Sequence, residues 1–158
     1  LRGLIKLVYQ AAVFVTALRI TVDGWSMHPT LSPGEHVLFN RLAYIRNAPK
    51  SGDVVLAHGG DKIIIKQVVG VSGDIVKLIY GVMTVNATRL KAAALDGEGE
   101  WLLKQDEYFL LGKAVDMNDV DMDSIDSRSF GPVTRKAIKA RAWLVYWPIG
   151  LWRNLDTE

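Results

Sequence analysis

Three stretches of this 158-residue chain bring together residue types that can do chemistry. In the first, Gly24-Trp25-Ser26-Met27-His28-Pro29-Thr30-Leu31, a serine stands where apolar positions give way to a Pro-containing turn. A serine hydroxyl attacks nothing until a base takes its proton, and a serine beside Gly and Pro more commonly just makes a turn. His28 is the nearest candidate base. Residues two apart on a strand share a face without their side chains having to meet, and no aspartate is forced beside it, so a Ser-His-Asp set stays open but unsupported. In the second stretch, Lys66 lies within Ile63-Ile64-Ile65-Lys66-Gln67-Val68-Val69, the most apolar run of the chain. A strand can turn such a lysine to solvent, yet its same-face neighbours at two-residue spacing, Ile64 and Val68, are apolar. A buried lysine gives up its proton readily, and the neutral amine is a general base. A free lysine titrates at about 10.4, so that role requires a shift to about 7–8. The third stretch, Asp123-Ser124-Ile125-Asp126-Ser127-Arg128, sets an acid two residues from an arginine. By itself that is a solvated ion pair contributing about 0–1 kcal/mol.

The elements that must position these residues are mostly strands. Short Val/Ile-rich runs at 35–39, 53–58, 62–71, 74–85, 107–112 and 140–147 are bounded by Gly, Pro, Asn and Asp, the pattern of strands and turns. The fold class is therefore mainly β. Residues 87–106 are more polar and carry the weakest β pattern, as in an insertion or minor lobe. At the other end, 7–18 is an uncharged run of twelve residues flanked by Arg2, Lys6 and Arg19. As a helix it extends about 18 Å, short of a hydrocarbon core of about 30 Å. It suits the outer end of a membrane helix, an interfacial helix with snorkelling basic residues, or a buried core helix. Leu1 is not methionine, as expected of a processed or truncated chain.

Composition narrows the field. Apolar residues make up 49% and charged residues 23%, which argues against general disorder. A net charge of +2 does not by itself point to nucleic acid. No cysteine is present, so a disulfide framework, a thiolate zinc site and a cysteine nucleophile are excluded. Three histidines, 28, 36 and 58, leave little for a histidine metal cluster. Asp119, Asp121 and Asp123 have the spacing of a calcium loop, but Ser124 and Phe130 stand where such a loop has Gly and Glu. An acidic surface loop, with no metal, is the expectation.

The stretches together, in this order, resemble the bacterial type I signal peptidases, membrane-bound Ser-Lys proteases that remove leader peptides from exported proteins. The match comprises SMHPTL at 26–31, SGDVV at 51–55, IIKQVVGVSGD at 64–74 and DSIDSRSFGPV at 123–133, and four boxes in order are far more specific than one. The resemblance implies a signal-peptidase-like catalytic β fold over residues 21–150, with an N-terminal apolar anchor segment at 1–20 and a C-terminal tail at 151–158. It makes Ser26 the nucleophile and Lys66 the general base. Ser124 corresponds to the serine that orients the lysine, and Asp126 and Arg128 to a pair that shapes the site. The backbone amide of Ser26 becomes an oxyanion donor. A second donor is unassigned, since Gly24 stands where some members carry a hydroxyl. Gln67 replaces the usual arginine, and 115–123 is an apparent insertion.

By the same resemblance the partners are preprotein signal peptides with Ala-x-Ala cleavage sites and the lipid bilayer, without nucleic acid or cofactor. The expected location is the cell membrane, with the catalytic domain on the outer face; Arg2 and Lys6 suit the cytoplasmic side. Two alternatives compete. One is a specialised pilin-maturation or other Ser-Lys processing peptidase, the self-cleaving repressor type being disfavoured by the 123–133 box. The other is an inactive membrane-associated module, against which the intact Ser26, Lys66 and Ser124 argue. At the C-terminal end, Trp143, Val145 and Trp147 are expected to share a core face. Ile149, Leu151 and Trp152 are expected to form an exposed apolar patch, with Arg153 turned to lipid headgroups.

Overall fold

The computed structural model describes residues 2–90, 97–113 and 125–155. Ser124 and the acidic stretch 115–123 lie outside them.

Helix α1 (Arg2–Thr16) opens the chain. It buries Val13, and its Tyr9 hydroxyl accepts from Asn40 Nδ2 at 3.4 Å, while Leu4, Ile5, Leu7, Val8, Phe14 and Val15 stay exposed. No helix among the described residues is long and apolar enough to cross a membrane. The apolar run that starts at Leu7 does not end in the helix. Its last residue, Leu18, begins strand β1 (Leu18–Thr21), which sequence reasoning did not separate from the run.

The strands that follow are β2 (His36–Asn40), β3 (Val54–Gly59), β4 (Lys62–Gly70), β5 (Ile75–Ile79), β6 (Val82–Val85), β7 (Thr88–Arg89), β8 (Gly99–Leu102) and β9 (Glu107–Leu111). After a one-turn helix α2 (Ser127–Phe130) come β10 (Val133–Thr134), β11 (Ile138–Trp147) and β12 (Arg153–Asn154). The mainly β expectation holds. The main sheet runs β1-β2-β11-β3-β4-β9-β10, with β12 added on β11, and each pairing in it is antiparallel. A second sheet, β7-β6-β5-β8, begins at Ile75, upstream of the polar stretch 87–106. Sequence 74–85 therefore holds two strands. They are joined by Tyr80 and Gly81 at φ 49° and 76°, the paired positive values of a tight two-residue hairpin.

Strand β3 shows why the sheet reads as unbroken apolar runs. Val54 and Leu56 pack in one cluster with Met27, Leu31, Phe39 and Val145. Val55 and Ala57 pack in another with Tyr44, Val68, Leu110 and Ile138. Both faces are covered, so alternation with polar residues is lost. A third cluster of Val69, Val76, Leu78, Met83, Leu103, Phe109 and Leu111 joins the second sheet to the main one.

One expectation is corrected here. Trp143, Val145 and Trp147 do not share a buried face. The register of β11 against β2 shifts between Ala142 and Leu144 and again between Val145 and Trp147. Each added residue reverses the side-chain alternation. Ala140, Ala142 and Val145 are buried instead, Trp143 is half-buried and Trp147 is exposed.

The turn into β3 rests on Asp53, whose carboxylate is buried. Its Oδ2 accepts from the Tyr44 hydroxyl at 2.7 Å and from the Lys50 amide at 2.9 Å, and Arg141 Nη1 lies 3.8 Å from Oδ1. Burial, then the bond to Asp53, holds the Tyr44 phenol protonated well above its ordinary range. The Asp53 carbonyl accepts from the Val68 amide at 2.8 Å, so the same residue also helps set the β3–β4 register around Lys66. Tyr44→Phe is expected to destabilise the fold by about 1–3 kcal/mol, the usual cost of leaving a buried acceptor short of a donor; urea unfolding at neutral pH measures it.

Candidate active site

Ser26 lies in a turn spanning residues 24–31 between β1 and β2, entered through Gly24 at φ 86°. The turn folds on itself, the His28 amide donating to the Trp25 carbonyl and the Leu31 amide to the Met27 carbonyl, both at 2.9 Å. Met27 and Leu31 sink into the core and fix it from below. The Lys113 amide, just past β9, donates to the Ser26 carbonyl at 2.7 Å.

Lys66 is 3% exposed in the middle of β4. The possibility that it faces solvent is thereby removed. Lys66 and Ser26 line one cleft of about 420 Å³. Its other walls are Ile20, Thr21, Val22 and Asp23 from β1 and its exit, Lys62 and Ile63–Ile65 from β4, Leu56 from β3, and Ile125. His28 is not among the lining residues. Its ring stands edge-on to Trp25 at 5.3 Å, and its Nδ1 lies 3.2 Å from Ser32 Oγ.

The 123–133 box enters through Ile125 and Asp126. Asp126 is fully buried and caps α2, its Oδ1 accepting from the Arg128 amide at 3.0 Å. Arg128 Nε and Nη2 each donate to one carboxylate oxygen at 2.9 Å. The solvated ion pair considered from sequence is therefore a bidentate pair with a buried acid. Removing one partner of such a pair typically costs about 3–5 kcal/mol. Ser127 Oγ accepts from the Leu110 amide at 2.9 Å and fastens the cap to β9. The pair thus holds the residue next to Ile125, one wall of the cleft.

A family model described as signal peptidase, peptidase S26, matches residues 3–147. The chain belongs to that family. Among curated relatives, signal peptidase I S of Bacillus subtilis (strain 168) is 28% identical over 85% of this chain and 79% of its own length. Signal peptidase I V of the same organism is 30% identical, over 74% and 78%. A probable signal peptidase I-2 of Synechocystis sp. is 26% identical over 81% of this chain, which spans 62% of that relative.

Sequence reasoning passed over two residues that brace the turn carrying Ser26. Glu35 was absorbed into an apolar run, and Arg153 was assigned to lipid headgroups. Arg153 instead turns inward. Its Nη1 and Nη2 donate to Glu35 Oε1 and Oε2, each at 2.7 Å, and Glu35 is only 3% exposed. A buried carboxylate draws in the fork that can satisfy both of its oxygens. An acid directly after a Ser-Pro-Gly turn and before a buried strand was the available signal; nothing local points to its partner 118 residues away.

Burial pushes the Glu35 carboxyl up. The Arg153 hydrogen bonds, the Ser32 amide and the charges of Arg153 and His28 outweigh it and hold the carboxyl below its ordinary value. A depressed carboxylate contributes stability that is full above its unfolded pKa and is lost as pH falls through the folded one. Glu35→Gln is accordingly expected to lower the urea midpoint at pH 7, with the gap to the parent closing as the pH drops below about 4. Equal gaps at pH 7 and pH 3 run against this assignment.

Proposed function

We propose that this chain is a membrane-bound serine endopeptidase that cleaves signal peptides from exported preproteins, with Ser26 as nucleophile and Lys66 as general base. The observation that carries the proposal is the pairing of Ser26 with a buried lysine in one cleft. Burial disfavours the ammonium and favours the neutral amine that a general base requires. Lys66 Nζ takes the Ser26 hydroxyl proton as Oγ attacks the scissile carbonyl. The developing oxyanion is met by the Ser26 amide. Lys66 returns the proton to the leaving amine, and the same base activates the water that releases the acyl group. Ser124 is assigned to orienting Lys66, and Asp126 and Arg128 to shaping the wall that carries Ile125.

The cleft also suits an extended peptide. Among the described residues strand β1 ends the main sheet, paired on one side only, and the ladder between β4 and β9 starts at Gln67, leaving Ile63–Ile65 outside it. Two strand edges thus border the cleft and offer main-chain hydrogen bonds to an added strand, with alternate side chains entering apolar depressions. Small residues two apart, as in Ala-x-Ala, fit that periodicity. The membrane assignment rests on exposed apolar surface. Helix α1 presents most of its apolar residues to the outside, and Trp152 is 65% exposed beside exposed Ile149 and Leu151. Indole rings favour the membrane–water boundary.

Ser26→Ala and Lys66→Ala are each expected to abolish cleavage of a preprotein in detergent without loss of fold. Lys66→Arg stays dead because guanidinium keeps its proton, and His28→Ala retains most activity. In the parent, kcat/KM rises with the deprotonated fraction of Lys66 and levels off well below pH 10. A rate still climbing at pH 10, or substantial turnover by Lys66→Ala, overturns the lysine base. For the membrane contact, Trp152→Ala in the full chain is expected to weaken partitioning onto phospholipid vesicles with little change in Tm. A marked fall in Tm with unchanged partitioning overturns it.

A further inference from the structure

The turn that carries Ser26 is bracketed by two glycines in the left-handed region, Gly24 at φ 86° and Gly34 at φ 83°. Such positions reach many backbone conformations at little cost, so the segment between them needs fixing from outside. Its base is closed by the Val22 amide on the Glu35 carbonyl at 2.8 Å and the Gly34 amide on the Val22 carbonyl at 2.9 Å. The middle is reached by a side chain from the far end of the sequence. Arg153 Nη2, already on Glu35, also donates to the Thr30 carbonyl at 2.7 Å, and Nη1 donates to the Leu151 carbonyl at 3.1 Å. Glu35 Oε2 in turn accepts from the Ser32 amide at 3.0 Å. One guanidinium thus ties Thr30, Ser32 and Glu35 to strand β12, which is anchored on β11 at Val145.

We infer that Arg153 is a positioning residue for the nucleophile, acting through Glu35 and Thr30 to hold the Ser26 turn against the cleft; the inference rests on Ser26 being that nucleophile. Stability alone is a poor reason for this arrangement, because apolar residues of similar volume often replace a buried ion pair without loss. What they cannot supply is a directional fork that binds two carboxylate oxygens and a backbone carbonyl at once. A lysine cannot do so either, since its ammonium lacks the planar geometry. Misplacing a reacting group by about 1 Å can cost about a hundredfold in rate, so a modest drift of the turn is enough to matter. Arg153 touches neither Lys66 nor the cleft lining among the described contacts. Its loss should change how often the serine is in place, not how the peptide binds or where the base titrates.

The test compares Arg153→Met, Arg153→Lys and Glu35→Gln with the parent in the full chain, using a preprotein with an Ala-x-Ala site and a temperature well below every Tm. The folded fraction is checked by near-ultraviolet circular dichroism. Arg153→Met is expected to lower kcat at least tenfold with KM within about twofold, and with the midpoint of the pH–rate profile unmoved. Glu35→Gln is expected to follow it, and Arg153→Lys to recover only part of the rate. Should Arg153→Met not fold, Arg153→Lys against the parent carries the same comparison. Parent-like kcat in folded variants, a rise in KM alone, a shifted pH midpoint, or a loss that vanishes once corrected for folded fraction each overturn the inference. Ser26→Ala is run alongside. If it cleaves as fast as the parent, the nucleophile assignment itself fails and takes this inference with it. If it is dead while folded Arg153→Met is fully active, only the positioning role fails.

Discussion

The organising constraint of this fold is that β4 changes its neighbours along its length. From Gln67 to Gly70 it has β9 on one side, and from Lys62 to Gln67 it has β3 on the other. Its second half is buried at Val68 and Val69, while its first half borders a cleft and leaves Ile63 64% exposed. Lys66 stands at the changeover, deep enough to lose its solvent and close enough to the opening to line the cleft. Further along β4 it would sit in a closed core, and nearer Lys62 it would be hydrated and charged. The antiparallel ladder with β3 holds that position, Val55 opposite Lys66 and Val54 opposite Gln67. The buried carboxylate of Asp53 fixes the start of β3.

The serine side of the cleft is built on a different principle. A strand can hold a lysine by its ladder, but Ser26 lies in a turn without one. Its position is the sum of separate tethers: buried Met27 and Leu31, the Lys113 amide on its own carbonyl, the Val22–Glu35 closure, and the Arg153 fork. Each has its own source in the sequence, so the turn inherits small displacements from several parts of the fold. The buried Asp126–Arg128 pair plays the matching part on the wall that carries Ile125.

Sequence legibility followed the range of the interaction. The strands were readable because Val and Ile runs ended in Gly, Pro and Asp turns, and the burial of Lys66 was readable from Ile64 and Val68 beside it. Ser26, Lys66, Asp126 and Arg128 were nominated by box order, and the structure places Ser26, Lys66 and Ile125 on one cleft. Ser124 lies outside the described residues. The misses were of two kinds. Strand β1 was hidden because Leu18 continues the apolar run of the helix, and period alone cannot divide such a run. Trp147 was misassigned because two bulges in β11 reverse an alternation that is sound only for a regular strand. The Glu35–Arg153 and Tyr44–Asp53 pairs were invisible for another reason. A buried ion pair or hydrogen bond joins residues whose local sequence carries no trace of the partner, and in isolation Arg153 has every mark of a surface residue.

The exposed apolar residues around the cleft remain to be reconciled with a stable fold. Covering Ile63 and the outer edge of β1 with another strand of the chain would bury apolar area at about 25 cal/mol per Å² and pair more backbone groups at about 0.5–1.5 kcal/mol each. It would also close the cleft that Ser26 and Lys66 both line. An incomplete sheet edge is usually a hazard, since it invites pairing with other chains. In the proposed peptidase that hazard is the binding mechanism. Under that proposal, the stabilisation the fold forgoes is available to an extended peptide added at this edge.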